Sequence, residues 1–502
     1  VILAIDQGTT GTTCIVFDEQ AQELGRAQGE LAQHFPRPGW VEHDAGEIWA
    51  LVRQLASEAL EDAQVRPGEL LAIGITNQRE TVCAWDRESG EPLSRAIVWQ
   101  DRRTAKRCEE LRSQGVEQLI RQRTGLLLDP YFSATKMQWL LDNVDGLRER
   151  AQTGRALLGT VDAWLIFKLT GEHRTDASNA SRTLLCDIAS GQWDSELLEL
   201  FGVPAQALPS ICDSAGPLGT VVEGALPGVA PGTPVTGVAG DQQAALFGQG
   251  CVDPGMAKST YGTGSFVLLN SGFTAPPPAN GVIGTLAWSI GGGRSYATET
   301  SIFATGAAVQ WLRDGLRIIG QADETEALAS SLQDNEGVYF VPALTGLGSP
   351  HWDPEARGTI VGLTRGSGRE HIARATLEAI AYQVHDAVRA MEAASKQPLS
   401  ELRADGGATA NRWLMQFQAD ILGVPVLVPE VAETTAFGAA LLAGVGASLW
   451  TVNDVGSFWQ ERARYEPSMP EERRRALLDG WSQALRRTLT EPPARNQDPA
   501  AR

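Results

Sequence analysis

Twice along this chain a β-rich run, a Gly/Thr turn and a second β-rich run follow one another, and that duplication limits the possible folds more than any other feature. Val1 to Ile5 and Thr12 to Phe17 flank Gly8-Thr9-Thr10-Gly11, while Met256 to Tyr261 and Ser265 to Asn270 flank Gly262-Thr263-Gly264. Both suit a turn between antiparallel strands. Two such openings about 250 residues apart describe two halves of related architecture rather than a solenoid. The length of 502 residues agrees, because it exceeds what one hydrophobic core usually organises. The boundary is placed near Gly248 to Pro254, which gives halves 1–249 and 250–465 and a closing segment 466–502. A cleft between the halves is expected.

Between the two openings the pattern is α/β. A helix is expected from Asp44, where Asp44-Ala45-Gly46-Glu47 has capping-box spacing and Ile48, Val52, Leu55 and Ala59 recur at helical intervals. Leu70 to Ile75 reads as a buried strand ending in the polar loop Thr76-Asn77-Gln78-Arg79-Glu80, and such strand ends are where α/β folds place their chemistry. Leu402 to Ala404 reads as a strand and Trp413 to Leu422 as a helix. Arg473-Arg474-Arg475, set between Glu471-Glu472 and Ala476-Leu477-Leu478, reads as the solvated face of an amphipathic helix. Ala275-Pro276-Pro277-Pro278 is expected to be a surface loop and the tail from Pro492 to Arg502 disordered.

Composition removes several function classes. A formal charge of −19 argues against a nucleic-acid partner, since phosphate backbones are held by clustered Lys and Arg. No apolar run reaches the roughly 18 residues of a membrane span. The chain opens directly on a strand pattern without a secretory signal, so a cytoplasmic setting is expected. Cys14, Cys83, Cys108, Cys186, Cys212 and Cys251 form no C-x-x-C pair, and the six histidines show no H-E-x-x-H spacing. Reduced thiols and no protein-ligated transition metal are expected.

Three stretches can carry chemistry. Asp6 sits at the end of a strand before Gly8-Thr9-Thr10, where a carboxylate can hold Mg²⁺ through water while bare backbone faces nucleotide phosphates; an ordinary polar hairpin fits the same residues. Asp405-Gly406-Gly407-Ala408-Thr409-Ala410-Asn411 joins a strand to a helix, where adjacent glycines let a base and phosphate lie against the backbone; a tight turn with Asn411 as N-cap fits equally. In Gly240-Asp241-Gln242-Gln243 the aspartate can take a proton from an alcohol or simply cap a helix. No G-x-x-x-x-G-K-[ST] loop and no H-R-D or D-F-G set occurs.

Taken together, Asp6-Gln7-Gly8-Thr9-Thr10, Asn77-Gln78-Arg79-Glu80, Tyr131-Phe132-Ser133, Gly240-Asp241-Gln242-Gln243, Tyr261-Gly262-Thr263-Gly264 and Asp405-Gly406-Gly407-Ala408 resemble the glycerol kinases of the FGGY carbohydrate-kinase family. The similarity runs from residue 1 to about residue 465. It implies two RNase-H-like domains of the actin and hexokinase type around a central cleft. It also implies ATP-dependent phosphorylation of glycerol to glycerol 3-phosphate, with Mg²⁺, in a homodimer or homotetramer. By the same resemblance Arg79, Glu80, Trp99, Tyr131, Asp241, Gln242 and Phe266 line the polyol pocket. Thr9, Thr10, Gly11, Gly262, Thr263, Gly306, Gln310, Gly407, Ala408 and Asn411 contact the nucleotide, ATP or ADP. Asp6 and Asp241 stand near Mg²⁺, and Asp241 is the catalytic base.

Two other readings compete. A related kinase for xylulose, ribulose or gluconate is disfavoured by Asn77-Gln78-Arg79-Glu80, because xylulose kinases carry a Gln-Met-His-Gly-like sequence there. An ATP-binding switch of the actin and Hsp70 type has no use for a polar pocket assembled from four motifs.

The chain also departs from the family pattern. Leu218 to Gly240 contains no Lys, Arg or His, so control there by fructose 1,6-bisphosphate or by histidine phosphorylation is expected to be absent. Where glycerol kinases usually carry a phosphate-directed arginine after Gly-Thr-Thr, this chain has Gly11-Thr12-Thr13. Weaker ATP binding or a different nucleotide preference follows. Thr13→Arg, titrated with ATP and GTP, is expected to tighten or redirect binding, and an unchanged affinity and preference would dismiss the idea.

Overall fold

Ile2–Gln7 is buried along almost its whole length, as a central strand must be when helices cover both faces of its sheet. It pairs antiparallel with Gly11–Phe17 and parallel with Ala72–Asn77. Glu23–Glu30 lies outside the former and Pro234–Gly240 outside the latter. The second half repeats this plan. Met256–Tyr261 lies between antiparallel Ser265–Gly272 and parallel Glu401–Gly406, with Gly293–Ile302 and Val426–Pro429 as the outer neighbours. A bridge between Ala215 and Ile290 links the two sheets edge to edge. These relations come from a computed structural model, which describes residues 1–66 and 68–490; the tail expected from Pro492 onward lies outside the described residues.

Helices seal the outer faces. Ala45–Asp62 is started by Asp44, whose carboxylate accepts the Gly46 and Glu47 N–H groups, and its Ile48, Val52, Leu55 and Ala59 are buried against the first sheet. Arg369–Ser395 and Arg412–Leu422 do the same for the second sheet, and Asn411 accepts the Leu414 N–H as N-cap. Two hairpin strands run past their apolar stretches, Ile2–Gln7 beyond Ile5 and Ser265–Gly272 beyond Asn270. Asp6 lies inside its strand, paired with Thr13 and Thr76, and Asn77 ends a strand that runs Ala72–Asn77. Ladder hydrogen bonds extend a strand through polar residues that hydropathy alone leaves outside it.

The inner faces meet through two short helices, Asp241–Gly248 and Thr434–Gly446. Their backbones touch because the contact positions are glycines. A Cβ on Gly438 would sit 1.8 Å from the Ala244 carbonyl oxygen, and one on Gly248 would sit 2.1 Å from that of Thr434. Gly74 and Gly237 likewise let the second helix lie directly on the first sheet, with hypothetical Cβ contacts of 2.2 Å to Ala439 O and Ala443 N. Around these helices Ile2, Ala4, Ile15, Phe17, Phe247, Leu268, Ala297 and Phe437 form one apolar cluster drawn from both halves. All six cysteines are free thiols, five of them buried. Among the described residues no helix is long and apolar enough to cross a membrane.

Gly438→Ala is expected to destabilise the fold by about 1–3 kcal/mol, because the added methyl forces two backbones apart. A drop in the urea midpoint measures it; an unchanged midpoint would mean that the helices do not bear on each other.

Candidate active site

The two hairpin turns and the ends of the parallel strands face one cleft, and the side chains there divide into a charged cluster, a carboxylate pair and an open cavity.

Arg79 leads the charged cluster. It follows the buried strand Ala72–Asn77, and its stem runs across Gly240, where a Cβ would come 2.7 Å from Arg79 Cγ and Cδ. Its guanidinium donates from Nη1 to Glu299 Oε2 at 2.6 Å and from Nη2 to Glu299 Oε1 at 3.0 Å, and Nη1 also reaches Gln243 Oε1 at 3.1 Å. Arg182 closes the ring, donating from Nε to Glu80 Oε1 at 2.7 Å and from Nη2 to Glu299 Oε1 at 3.0 Å. All four side chains are almost completely buried. Burial opposes the charge on Glu299, yet Arg182 and Arg79 outweigh it and hold its acidity at about 2. Glu299 is therefore ionised, whereas burial raises the pKa of Glu80 against the pull of Arg182 and Arg79. Glu80 adopts φ +63°, a left-handed conformation uncommon outside glycine.

Beside the cluster stand the remaining residues of the expected polyol pocket. Trp99 and Tyr131 meet edge to face at 5.5 Å. Trp99 Nε1 donates to Thr9 Oγ1 at 2.8 Å, which ties the first hairpin turn to this aromatic wall. Phe266 stands opposite Thr260 and Ser301 in register, so it shares a sheet face with Lys258 and Glu299 two residues along each strand. Gln242 accepts a hydrogen bond from the Lys258 ammonium.

Asp241 is the first residue of helix Asp241–Gly248, with Gly240 as its N-cap. Its side chain keeps 31 % exposure and lies 3.2 Å from Arg79 Nε, while its Oδ1 accepts the Gln242 N–H at 2.7 Å. Burial raises its pKa above the ordinary range, although Arg79 and Lys258 pull the other way. The pKa of Asp6 is pushed up to about 8 by burial and then by Asp241 and Glu433. Two buried carboxylates, one of which raises the other, fit a divalent cation. Among the described residues no group of three or more His, Cys, Asp or Glu could hold a metal by itself. Asp6 and Asp241 would thus share the ion with water and phosphate oxygens, which is the habit of Mg²⁺.

The cavity, about 500 Å³, belongs to the second half. Gly262, Thr263, Gly306, Gln310, Gly407, Ala408 and Asn411 all line it. The Gly262 and Thr263 carbonyls accept N–H groups of Thr305, Gly306 and Ala307, so the turn also anchors the helix Gly306–Gln310. A Cβ on Gly306 would meet Gly262 O at 2.6 Å, whereas one on Gly407 would meet nothing within 4 Å. Packing demands the first glycine; only open space meets the second. Thr9, Thr10 and Gly11 are not among the residues lining this cavity. They lie on the first hairpin, and Gly11 is small because the strand Glu23–Glu30 passes it, with a Cβ contact of 2.5 Å to Gly29 O.

Residues absent from the sequence-based set share the site: Gln243, Lys258, Glu299 and Arg182 beside the polyol wall, and Arg313, Asp323, Thr325 and Glu326 at the cavity. Lys258 and Glu299 carried a usable signal, since each is a charge inside a strand of a central sheet.

Family models for the FGGY family of carbohydrate kinases match residues 1–248 with the N-terminal domain and residues 257–447 with the C-terminal domain. The chain belongs to this family. A protein named glycerol kinase from Citrifermentans bemidjiense is 54 % identical over 491 residues, covering 97 % of this chain and 98 % of its own length. Another of that name from Deinococcus radiodurans is 53 % identical, covering 97 % of each. The crystal structure of Plasmodium falciparum glycerol kinase with ADP superposes with a TM-score of 0.94 at 36 % identity, covering 98 % of this chain and 99 % of that one. In this FGGY kinase the two-domain α/β architecture with its central cleft is therefore shared.

Because the Gly407 position opens onto the cavity, Gly407→Leu is expected to weaken ATP binding at least tenfold while leaving the thermal midpoint in place. Loss of stability without loss of nucleotide affinity would show that the glycine serves the fold instead.

Proposed function

We propose that this FGGY kinase transfers the γ-phosphoryl group of ATP to a terminal hydroxyl of glycerol, giving glycerol 3-phosphate and ADP. Supporting this reading are the relatives named glycerol kinase, matched over nearly the full length of this chain and of their own. The observation that carries it is the place of Asp241: a half-open carboxylate on the cleft wall, 3.2 Å from a buried arginine and facing Asp6. Residues 1–249 supply the polyol side and residues 250–465 the nucleotide side.

A small triol needs donors and acceptors for every hydroxyl and cover for its carbon edge. Arg79, Glu80, Asp241 and Gln242 supply the former, and Trp99, Tyr131 and Phe266 the latter. The cluster around ionised Glu299 keeps Arg79 fixed before substrate arrives, which avoids reorganisation at the moment of reaction. The nucleotide occupies the cavity lined by Gly262, Thr263, Gly306, Gln310, Gly407, Ala408 and Asn411, with the Thr9, Thr10 and Gly11 turn facing its phosphates from the other half.

Asp241 takes the hydroxyl proton as that oxygen bonds to the γ-phosphorus, and the bond from phosphorus to the β–γ bridging oxygen breaks. Its burial makes it a better base than an exposed aspartate. Asp6 and Asp241, with water, would hold Mg²⁺, which would supply charge neutralisation at the phosphates.

Asp241→Asn is expected to lower turnover by about 10²- to 10⁴-fold while ATP binding persists. The check is ADP release with glycerol, dihydroxyacetone, xylulose, ribulose and no acceptor. Near-normal turnover in the variant refutes the role of Asp241; ADP release by the unaltered enzyme that ignores glycerol refutes the reaction.

A further inference from the structure

Lys258 sits in the strand Met256–Tyr261, just before the second hairpin turn, and its side chain is completely buried. Its ammonium donates to Gln242 Oε1 and, at 2.9 Å, to Thr260 Oγ1. Among the described residues no carboxylate lies within 4.0 Å of it. A buried ammonium held only by neutral oxygens costs several kcal/mol in desolvation that no contact ion pair repays. Methionine of similar length would fill the same space without that cost, so packing does not account for the lysine.

What it does account for is the orientation of an amide. Gln242 lies in the first turn of the first half's helix Asp241–Gly248, whereas Lys258 belongs to the second half. A glutamine amide carries an acceptor at one end and two donors at the other, and it can turn over at little cost. An ammonium only donates. By holding Oε1, Lys258 leaves the Nε2 donors free to face the cleft. Resting on the proposed reaction, we infer that Lys258 is a positioning residue for the polyol: from the nucleotide half it fixes the Gln242 amide so that its N–H groups meet a substrate hydroxyl. The contact spans the two halves, so the geometry of the nucleotide hairpin is felt in the polyol pocket. Burial also lowers the pKa of Lys258, with Asp405 and Asp241 opposing the change.

The test compares the unaltered enzyme with Lys258→Met, Gln242→Leu and the double variant by steady-state kinetics, with thermal midpoints as control. Lys258→Met is expected to raise KM for glycerol about tenfold or more, the scale of a lost charged hydrogen bond, while KM for ATP moves less than about twofold and the midpoint does not fall. The double variant is expected to match Gln242→Leu alone, because both changes break one interaction. Multiplying effects, or a rise confined to KM for ATP, overturn the inference. Thr260→Val, which loosens the ammonium without removing it, is expected to raise KM for glycerol more modestly; should Lys258→Met fail to fold, an unchanged KM in this variant overturns the inference. Absence of glycerol-dependent ADP release in the unaltered enzyme strikes the proposed reaction instead.

Discussion

The contact between helices Asp241–Gly248 and Thr434–Gly446 is the constraint on which the site depends. One helix opens with the proposed base; the other begins next to Glu433, which faces Asp6. Backbones that close leave no room for side-chain adjustment, so the two helix starts are fixed relative to each other. Asp405 reinforces the junction. Its Oδ2 accepts from Gln249 Nε2 at 2.6 Å and from Thr434 Oγ1 at 2.8 Å, tying the end of one helix to the start of the other. The strand Glu401–Gly406 is thereby coupled to helix Asp241–Gly248 through one carboxylate.

The charged cluster is a second fixed body, and it answers to a different logic. Four buried charges contribute little net stability over an apolar core, and removing one of them strands its partners at a cost of about 3–5 kcal/mol. Such a cluster is useful where an arginine must be held still and charged near a reacting group. Arg182 and Glu299 never need to touch substrate for this. They satisfy Arg79 and Glu80 from behind, leaving Arg79 Nε toward Asp241.

Both hairpins, the helix from Asp44 and the helix after Asn411 were legible because each rests on local chemistry: a turn, a cap or a period of apolar residues. Trp99, Tyr131 and Gly306 were picked out only through ordered motifs, since they carry no local sign of their neighbours. Glu299 and Arg182 were hidden for the same reason. Their partners lie 220 and 102 residues away, and only the fold brings a mid-strand glutamate to the arginine that follows another strand. The glycines differ in a way the motifs do not show: the neighbouring strand leaves no room for a side chain at Gly11, while Gly407 faces space that packing leaves empty.

Thr13 connects these threads. It stands directly across from Asp6 in the first hairpin, and on the next strand the same row holds Gln28, so no positive charge lies beside Asp6 on either strand. Arg26, two residues from Gln28 and on the same face, is drawn instead to Glu433 at 3.1 Å. Asp6 therefore meets Asp241 and Glu433 with less compensation than an arginine at position 13 would give, which adds to the burial that chiefly raises its pKa. In the proposed reaction that burden passes to the cation. Were Mg²⁺ held there as proposed, it would displace a proton from Asp6, and its affinity would rise with pH up to about 8.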